Sequence, residues 1–435
     1  MRDSGTRRFD LSVDNGVEPE MSGVSRPARR HRPRWRLAVA VTAAVVVIAG
    51  AVIAARVVYR PADTWAPGTG GSSAAASTIG GPPTPTAVTS SAAGPSGPAA
   101  ALTAQQLAGQ RIVYSYPGLT PPASLFEHIR NGEAAGVIFF GDNVASTTQI
   151  ASVVRDLRQA QRESPIRAPL LLMTDQEGGQ VKRLPGQPVD SAKQIGQSAN
   201  PPATATRAGA GAAATLTAVG MNVNLAPVLD VYSVAGNFID QYQRSYSSDA
   251  RTVATLGSDF VTAQQHAGPA ATAKHFPGLG SAARGENTDT GPVTLMASLA
   301  SLRGRDEVPY ATAIAAGVKL IMVSWAVYPA LDATRPAGLS PTVVGSELRS
   351  RLHFQGVTIT DALEAKALQA YGSTGQRAVL AAQAGMDLIL CSARDANQGR
   401  SAATALAGAL TSGQLDPGTF RAAVSRITAM RTGVA

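Results

Sequence analysis

Eight short and almost continuously apolar runs recur in the sequence after residue 100, and this repetition most restricts the possible folds. Strands with one face in water alternate apolar and polar residues, whereas strands covered on both faces are apolar nearly throughout. The runs therefore predict a parallel sheet with both faces buried. The predicted strands are Arg111–Tyr116, Gly136–Phe140, Leu170–Asp175, Asn222–Pro227, Thr272–Phe276, Leu320–Trp325, Val357–Asp361 and Asp387–Cys391.

Helical patterns separate these runs. One of them carries Ile150, Val153, Val154 and Leu157 at the spacing of a single helix face. The predicted helices cover residues 150–162, 203–219, 308–316, 376–384 and 417–430, the last preceded by a capping aspartate. Strands that alternate with helices in this way predict an α/β protein with a (β/α)8 TIM-type barrel over residues 101–435. A doubly wound open sheet is the alternative.

The amino-terminal residues predict a membrane anchor. Residues 37–55 carry no charge, and as a helix they would span roughly 28 Å, close to the hydrocarbon thickness of about 30 Å. Six arginines lie between residues 26 and 36, and basic residues favour the cytoplasmic side of a membrane. We therefore predict a cytoplasmic tail at 1–36, a single transmembrane helix at 37–58 and an extracytoplasmic remainder. A cleaved signal peptide is the alternative, because Ala54 and Ala55 follow the apolar run.

Composition limits the other partners. Residues 59–100 consist mostly of Pro, Gly, Ser, Thr and Ala, and such a segment predicts a flexible linker without a core. Much of the net charge of +9 comes from the arginine run, which the apolar segment assigns to a membrane boundary rather than to nucleic acid. Cys391 is the only cysteine, so we expect a buried thiol without an intrachain disulfide. We expect no metal and no organic cofactor.

Polar side chains collect at the carboxyl ends of the predicted strands, where the active sites of barrels lie. Carboxylates beside cations and an imidazole suit a hydroxyl-rich ligand, because carboxylates accept hydrogen bonds from hydroxyl groups and cations donate to them. Polar caps of barrel strands are the structural alternative for each residue alone. Trp325 is either a stacking surface for such a ligand or a packed rim residue. The strand-end residues are Asp175, Asn224, Asp230, Lys274, His275, Ser324 and Asp361.

Five motifs carry a resemblance to a known family. They are TDQEGGQVKRL (174–184), GMNVNLAPVLDV (220–231), QRSYSSD (243–249), KHFPGLG (274–280) and GVTITDAL (356–363). In this order they resemble the successive motifs of glycoside hydrolase family 3. The chain is most similar to the single-barrel bacterial beta-N-acetylglucosaminidases of the NagZ type. The resemblance implies a retaining glycosidase that removes terminal beta-linked N-acetylglucosamine. We expect a monomer, and a cell-wall glycan or its fragments as substrate, because the predicted linker places the barrel outside the membrane. A beta-glucosidase and a non-catalytic saccharide-binding protein are the alternatives.

The resemblance also implies roles for individual residues. Asp361 matches the catalytic nucleophile, which attacks the anomeric carbon and forms a glycosyl-enzyme intermediate. A second set matches the residues that hold the sugar beside the scissile bond. This substrate-binding set is Asp175, Arg183, Arg244, Lys274 and His275.

One departure from the family concerns the proton donor. NagZ-type enzymes usually carry Asp-Ser-His in the loop after KHFPG, whereas this chain has Asn287-Thr288-Asp289 and no histidine in the loop. An aspartate of ordinary pKa, about 3.9, is protonated in only about one molecule per thousand at pH 7. Asp289 would therefore need a pKa raised by burial or by a neighbouring carboxylate such as Glu286. There are two alternatives: Glu286 itself donates the proton, or the loop is inert and the protein only binds sugar.

Overall fold

The computed structural model describes residues 102–434, and a sheet of eight parallel strands lies at its centre. The strands pair in the order β7-β6-β5-β4-β3-β2-β1-β8, so that the last strand lies beside the first. We number them as follows: β1 Ile112–Tyr114, β2 Gly136–Phe139, β3 Leu171–Thr174, β4 Val223–Asn224, β5 Ala270–Phe276, β6 Leu320–Val323, β7 Val357–Thr360 and β8 Ile389–Leu390.

One seam between β7 and β8 brings the sheet almost to closure. Ile359 and Leu388 form an isolated parallel bridge. The amide of Leu388 donates to the carbonyl of Thr358 at 2.9 Å, and the amide of Thr360 donates to the carbonyl of Leu388 at 3.0 Å. The predicted barrel is therefore confirmed, and the open sheet is wrong. Each of the eight strands lies within its predicted run, apart from β5, which begins at Ala270.

The two faces of most strands enter different apolar clusters, which explains why most of the runs are almost continuously apolar. Val113, Ile138 and Met173 belong to the cluster that fills the barrel interior. Their neighbours Ile112 and Val137 belong to the larger cluster that packs the strands against the helices. A parallel barrel thus requires apolar side chains in both positions of the two-residue repeat.

Helices surround the barrel, and the five predicted helices are confirmed with ends shifted by up to three residues. Asp416 caps the last of them by accepting a hydrogen bond from the amide of Thr419 at 2.8 Å. Within residues 102–434 the α-helices are Ala104–Gly109, Ala123–Arg130, Thr147–Arg162, Ala192–Gly196, Pro201–Ala218, Phe238–Gln241, Ala250–His266, Leu299–Ser301, Val308–Ala315, Thr374–Ala384, Ala396–Thr411 and Pro417–Gly433. Tighter or wider helical turns cover Gly141–Asn143, Leu302–Asp306, Ala337–Leu339, Thr342–Arg351 and Lys366–Tyr371, and two antiparallel hairpins pair Gln176–Gly178 with Val181–Lys182 and Val327–Tyr328 with Asp332–Pro336.

Several of the observed helices were not among the predicted ones. Ala250–His266 is an example, because Gly257 and polar residues interrupt its apolar pattern. A Cβ atom at Gly257 would lie 2.3 Å from Leu229 Cδ2, so the small residue allows this helix to pack closely. Tertiary packing therefore stabilises this helix, although its central residues have a weak helix propensity.

The amino-terminal predictions lie outside the described residues. These are the cytoplasmic tail at 1–36, the transmembrane helix at 37–58 and the linker at 59–100. Among residues 102–434, no helix combines the length and the apolar character needed to cross a membrane.

A buried carboxylate at the amino-terminal end of β8 joins three segments of the barrel. Asp387 is fully buried and accepts hydrogen bonds from Arg349, from Arg426 at 2.7 Å, and from the amide of Thr358 at 2.9 Å. The two arginine side chains are 20% and 34% exposed. Loss of the shared carboxylate would leave both cations without their anionic partner.

Asp387→Asn should therefore lower the free energy of unfolding by about 2–3 kcal/mol, somewhat less than a fully buried pair because water still reaches both arginines. Urea denaturation followed by circular dichroism measures this loss. Glu163→Gln is the matched control, because it removes a carboxylate from the exposed pair with Arg130. We expect the control to change stability by less than about 1 kcal/mol. If the two substitutions lowered the free energy of unfolding equally, the proposed stabilising role of Asp387 would be contradicted.

Candidate active site

A pocket of about 240 Å³ lies at the carboxyl ends of the barrel strands. The two residues predicted to be catalytic and the five predicted to bind substrate all line it, although they come from six places in the fold. Parallel strands bring their carboxyl ends together, so residues distant in sequence meet at one end of the barrel. The seven are Asp175 after β3, Arg183 after the first hairpin, Arg244 in the loop after β4, Lys274 and His275 in β5, Asp289 in the following loop and Asp361 after β7.

A buried ammonium group joins two carboxylates on one side of the pocket. Lys274 Nζ lies 2.7 Å from Asp175 Oδ1 and 2.7 Å from Glu177 Oε1, and its side chain is 3% exposed. Burial alone would lower the pKa of Lys274, but the negative charges of Asp175 and Glu177 outweigh it and raise the pKa. Lys274 is therefore a permanent cation. Arg183 adds a second cation beside Asp175, with 3.8 Å between Nη2 and Oδ2.

Glu177 is a site residue that was not among the predicted ones. Arg244 binds it in a bidentate arrangement, with Nε 2.9 Å from Oε2 and Nη2 2.8 Å from Oε1. Burial would raise the pKa of Glu177, but Arg244 and Lys274 together lower it well below the ordinary value. A signal for this residue was present in the sequence. Glu177 follows Asp175 by two positions, and residues two apart in an extended segment share a face.

The glycine pair after Glu177 fits the chain into a narrow space. Gly178 has a φ of +106°, and a Cβ atom there would lie 2.2 Å from the carbonyl oxygen of Asp190. Only a residue without a side chain allows this close approach. The chain turns at these glycines and continues into the second strand of the hairpin, Val181–Lys182. Arg183 follows this strand directly and reaches the pocket.

Asp230 holds the imidazole of His275. The distance from His275 Nδ1 to Asp230 Oδ2 is 2.8 Å, and Asp230 Oδ1 accepts a hydrogen bond from the amide of Leu279 at 2.7 Å. Because Nδ1 is engaged, Nε2 is the ring nitrogen left for a ligand. Lys274 and His275 both line the pocket although they are adjacent, since the register of β5 against β6 shifts between Ala273 and Phe276 and interrupts the alternation of faces.

Two carboxyl groups in the pocket have different surroundings. Asp361 follows β7 directly, and its Oδ1 accepts a hydrogen bond from the amide of Ala362 at 2.8 Å. Asp289 lies at the exposed rim, with its carboxyl group on the pocket wall. Desolvation and the negative charge of Asp361 raise the pKa of Asp289 to about 6, against the opposing charges of His275 and Arg244. Asp289 therefore retains a proton near pH 6, where an aspartate of ordinary pKa has lost it.

The structure distinguishes between alternatives left open by the sequence. Glu286 Oε2 accepts a hydrogen bond from the amide of Ala283 at 2.6 Å within its own turn. The carboxylates whose negative charges raise the pKa of Asp289 are Asp361 and Glu364. The effect suggested for Glu286 stays a prediction. Trp325 is 1% exposed and donates from Nε1 to the carbonyl of Ala362 at 2.8 Å, as expected for the packed rim residue.

The carboxyl pair makes a prediction that does not depend on turnover. Carbon-13 NMR of the aspartate side chains should show a titration step of Asp289 near pH 6. In Asp361→Asn this step should move to lower pH, because a neighbouring negative charge has been removed. Asp416→Asn, a change at a distant helix cap, should leave the step in place. An Asp289 step near pH 4 in the unaltered chain would contradict the proposed coupling of the two carboxyl groups.

Two relatives found by sequence comparison extend over most of the barrel. A protein from Arthroderma benhamiae, described as an uncharacterized secreted glycosyl hydrolase, is 47% identical over 337 residues, which cover 77% of this chain and 95% of the relative. A beta-hexosaminidase from Stenotrophomonas maltophilia is 33% identical over 294 residues, which cover 64% of this chain and 84% of the relative.

Solved structures give a consistent result. A family 3 beta-N-acetylglucosaminidase from Paenibacillus sp. is similar with a TM-score of 0.72 and 35% identity, over 77% of this chain and 63% of that one. A beta-N-acetylhexosaminidase from Beutenbergia cavernae is similar with a TM-score of 0.69 and 32% identity, over 76% of this chain and 98% of that one. The family model for the glycosyl hydrolase family 3 N terminal domain matches residues 106–430. The chain therefore belongs to glycosyl hydrolase family 3.

Proposed function

We propose that the chain is a retaining glycosidase that hydrolyses terminal beta-linked N-acetylglucosamine from a glycan. The observation that carries this proposal is the joint presence, in one pocket, of a carboxylate at the end of β7 and a second carboxyl group of raised pKa. Retaining glycosidases need this pair, with one group as nucleophile and one as acid/base. The beta-hexosaminidase and beta-N-acetylglucosaminidase relatives support the sugar assignment.

Asp361 is the proposed nucleophile. Its carboxylate attacks the anomeric carbon, a glycosyl ester forms, and the bond from that carbon to the leaving-group oxygen breaks. Asp289 donates its proton to the departing oxygen, so the leaving group departs as a neutral alcohol. In the second half-reaction Asp289 takes a proton from water while the water oxygen attacks the anomeric carbon and releases Asp361.

The charged residues that line the pocket together with the two carboxyl groups are proposed to bind the sugar. Arg183, Lys274 and His275 donate hydrogen bonds to hydroxyl oxygens, whereas Asp175 accepts from hydroxyl groups. Arg244 contributes in the same way while Glu177 holds its guanidinium in place. The pocket, at about 240 Å³, is smaller than the roughly 300–1,000 Å³ typical of sites for drug-sized ligands. This size supports one terminal sugar ring as the bound unit.

The amino-terminal sequence supports a proposed location. An anchor at 37–58 and a linker at 59–100 would hold the barrel outside the cytoplasmic membrane. The relative from Arthroderma benhamiae is itself described as secreted. A cell-wall glycan or one of its fragments is then the proposed natural substrate, and the proposed protein is a monomer that uses no cofactor.

The nucleophile prediction concerns Asp361→Asn. We expect the unaltered chain to hydrolyse an aryl beta-N-acetylglucosaminide faster than the corresponding aryl beta-glucoside, and the variant to lose at least about 10³-fold in kcat/KM. Release of the aryl group, measured by absorbance, checks both expectations. Preferred hydrolysis of the glucoside would favour a beta-glucosidase instead. Binding of N-acetylglucosamine without turnover of either substrate would favour a non-catalytic saccharide-binding protein.

The acid/base prediction concerns Asp289→Asn. The substitution should lower kcat/KM by about 10²–10⁴-fold for substrates with poor leaving groups, which need a proton, and far less for nitrophenyl substrates. In the unaltered chain, kcat/KM for a poor leaving group should fall as the pH rises through about 6, because Asp289 then loses its proton. An equal loss for good and poor leaving groups would refute the acid role.

A further inference from the structure

A third carboxylate, Glu364, lies beside the pocket in the loop that follows the proposed nucleophile. The loop begins at Asp361 after β7 and continues into the helical turn Lys366–Tyr371. Its backbone is bonded directly to the segment of Asp289. The amide of Lys366 donates to the carbonyl of Asp289 at 3.2 Å, and the amide of Ala367 donates to the carbonyl of Thr288 at 3.0 Å. Glu364 lies only two positions before the first of these contacts.

Uncharged donors from the segment after β8 fix the carboxylate of Glu364. Ser392 Oγ donates to Oε1 at 2.7 Å, and the amide of Ser392 donates to Oε2 at 3.3 Å. Gln398 Nε2 also donates to Oε2, at 3.0 Å. Ser392 lines the pocket itself, so this arrangement is part of the pocket wall. Within residues 102–434, Glu364 has no Lys, Arg or His partner within ion-pair distance, and its negative charge is not neutralised by direct contact.

The arrangement differs from that of Asp175 and Glu177, which lie in the same barrel mouth. Those two carboxylates each contact at least one cation. A hydroxyl group and an amide donate hydrogen bonds to Glu364 but supply no positive charge. The electrostatic effect of Glu364 on nearby groups is therefore retained. Burial raises the pKa of the Cys391 thiol, and the charge of Glu364 raises it further.

We propose that Glu364 is a positioning residue whose fixed negative charge favours the protonated form of Asp289 and so allows an aspartate to act where relatives of the NagZ type use histidine. The inference rests on the proposed function, in which Asp289 is the acid. Four charged or titratable groups act on Asp289 from the surrounding elements. Asp361 and Glu364 favour the protonated form, whereas His275 and Arg244 oppose it. Desolvation is the largest influence on the pKa of Asp289, and among the neighbouring charges Glu364 adds to the effect of Asp361 against the two opposing groups.

The test uses Glu364→Gln in the full-length chain. Loss of one negative charge should shift the alkaline limb of the pH profile, the range in which kcat/KM for a poor leaving group falls with rising pH, to lower pH by about half a unit. Above this range kcat/KM should be roughly threefold lower than in the unaltered chain. Kinetics on a nitrophenyl substrate should change little, because such a leaving group needs no proton. Glu364→Asp retains the charge and should keep most of the limb at its original pH.

The matched control is Asp142→Asn, which removes an exposed carboxylate that pairs with Arg394 at 3.4 Å. Asp142 is not among the groups that act on Asp289, so this variant should keep the limb of the unaltered chain. A limb that stays in place in Glu364→Gln, while Asp289→Asn removes the leaving-group dependence, would overturn the role of Glu364 and leave the proposed function intact.

A second readout is independent of turnover. The carbon-13 titration of Asp289 should move to lower pH in Glu364→Gln, even if no aryl glycoside is hydrolysed. An unchanged Asp289 titration in a folded Glu364→Gln variant would overturn the inference directly. Absence of hydrolysis with a shifted titration would refute the proposed function but not the electrostatic coupling between the two carboxyl groups.

Discussion

The shared ammonium group of Lys274 is the interaction on which the geometry of the pocket depends. Asp175 and Glu177 are both largely buried, and both contact the same ammonium group. Two carboxylates so placed would repel each other without a cation between them. Lys274 contacts both carboxylates and offsets this repulsion, and they in turn hold Arg183 and Arg244. The group contains three cations and two carboxylates. It therefore offers a net positive, preorganised set of donors without any movement at the moment of binding.

In the proposed mechanism, the two carboxyl groups beside this set act as acid and as nucleophile within one pocket. Their side chains are chemically identical, so only the environment can separate them. Asp361 is fixed at a strand end, whereas Asp289 lies on a loop and experiences the charge of its partner. A histidine at the second position would need no such help, because its ordinary pKa is already near 6.5. An aspartate in the proposed acid role therefore depends on neighbouring residues to raise its pKa.

Much of the fold and of the site could be predicted from the sequence. Apolar runs identify buried parallel strands, and the order of strands places the polar residues at their ends in one pocket. Contacts between separate loops could not be predicted in this way. Glu364 lacks any local pattern that would distinguish it from a solvent-exposed carboxylate, because its partner Ser392 lies 28 residues away in the chain. The spacing of Glu177 from Asp175 suggests a shared face, but its partner Arg244 lies 67 residues away and could not be identified in this way. Trp325 was similarly ambiguous, since strand ends favour both stacking and packing.

The pairing of the first strand with the last strand has a consequence for how the chain folds. The side chain of Arg111, next to β1, donates to the carbonyl of Asp387, 276 positions later, and β8 pairs with β1 in the same region. Such distant contacts carry a large loop-closure entropy and slow the folding of a domain. During synthesis the second edge of β1 therefore stays unpaired until β8, at residues 389–390 of 435, has been made. Exposed strand edges associate readily with other chains, so this interval is when the nascent protein is most exposed to aggregation.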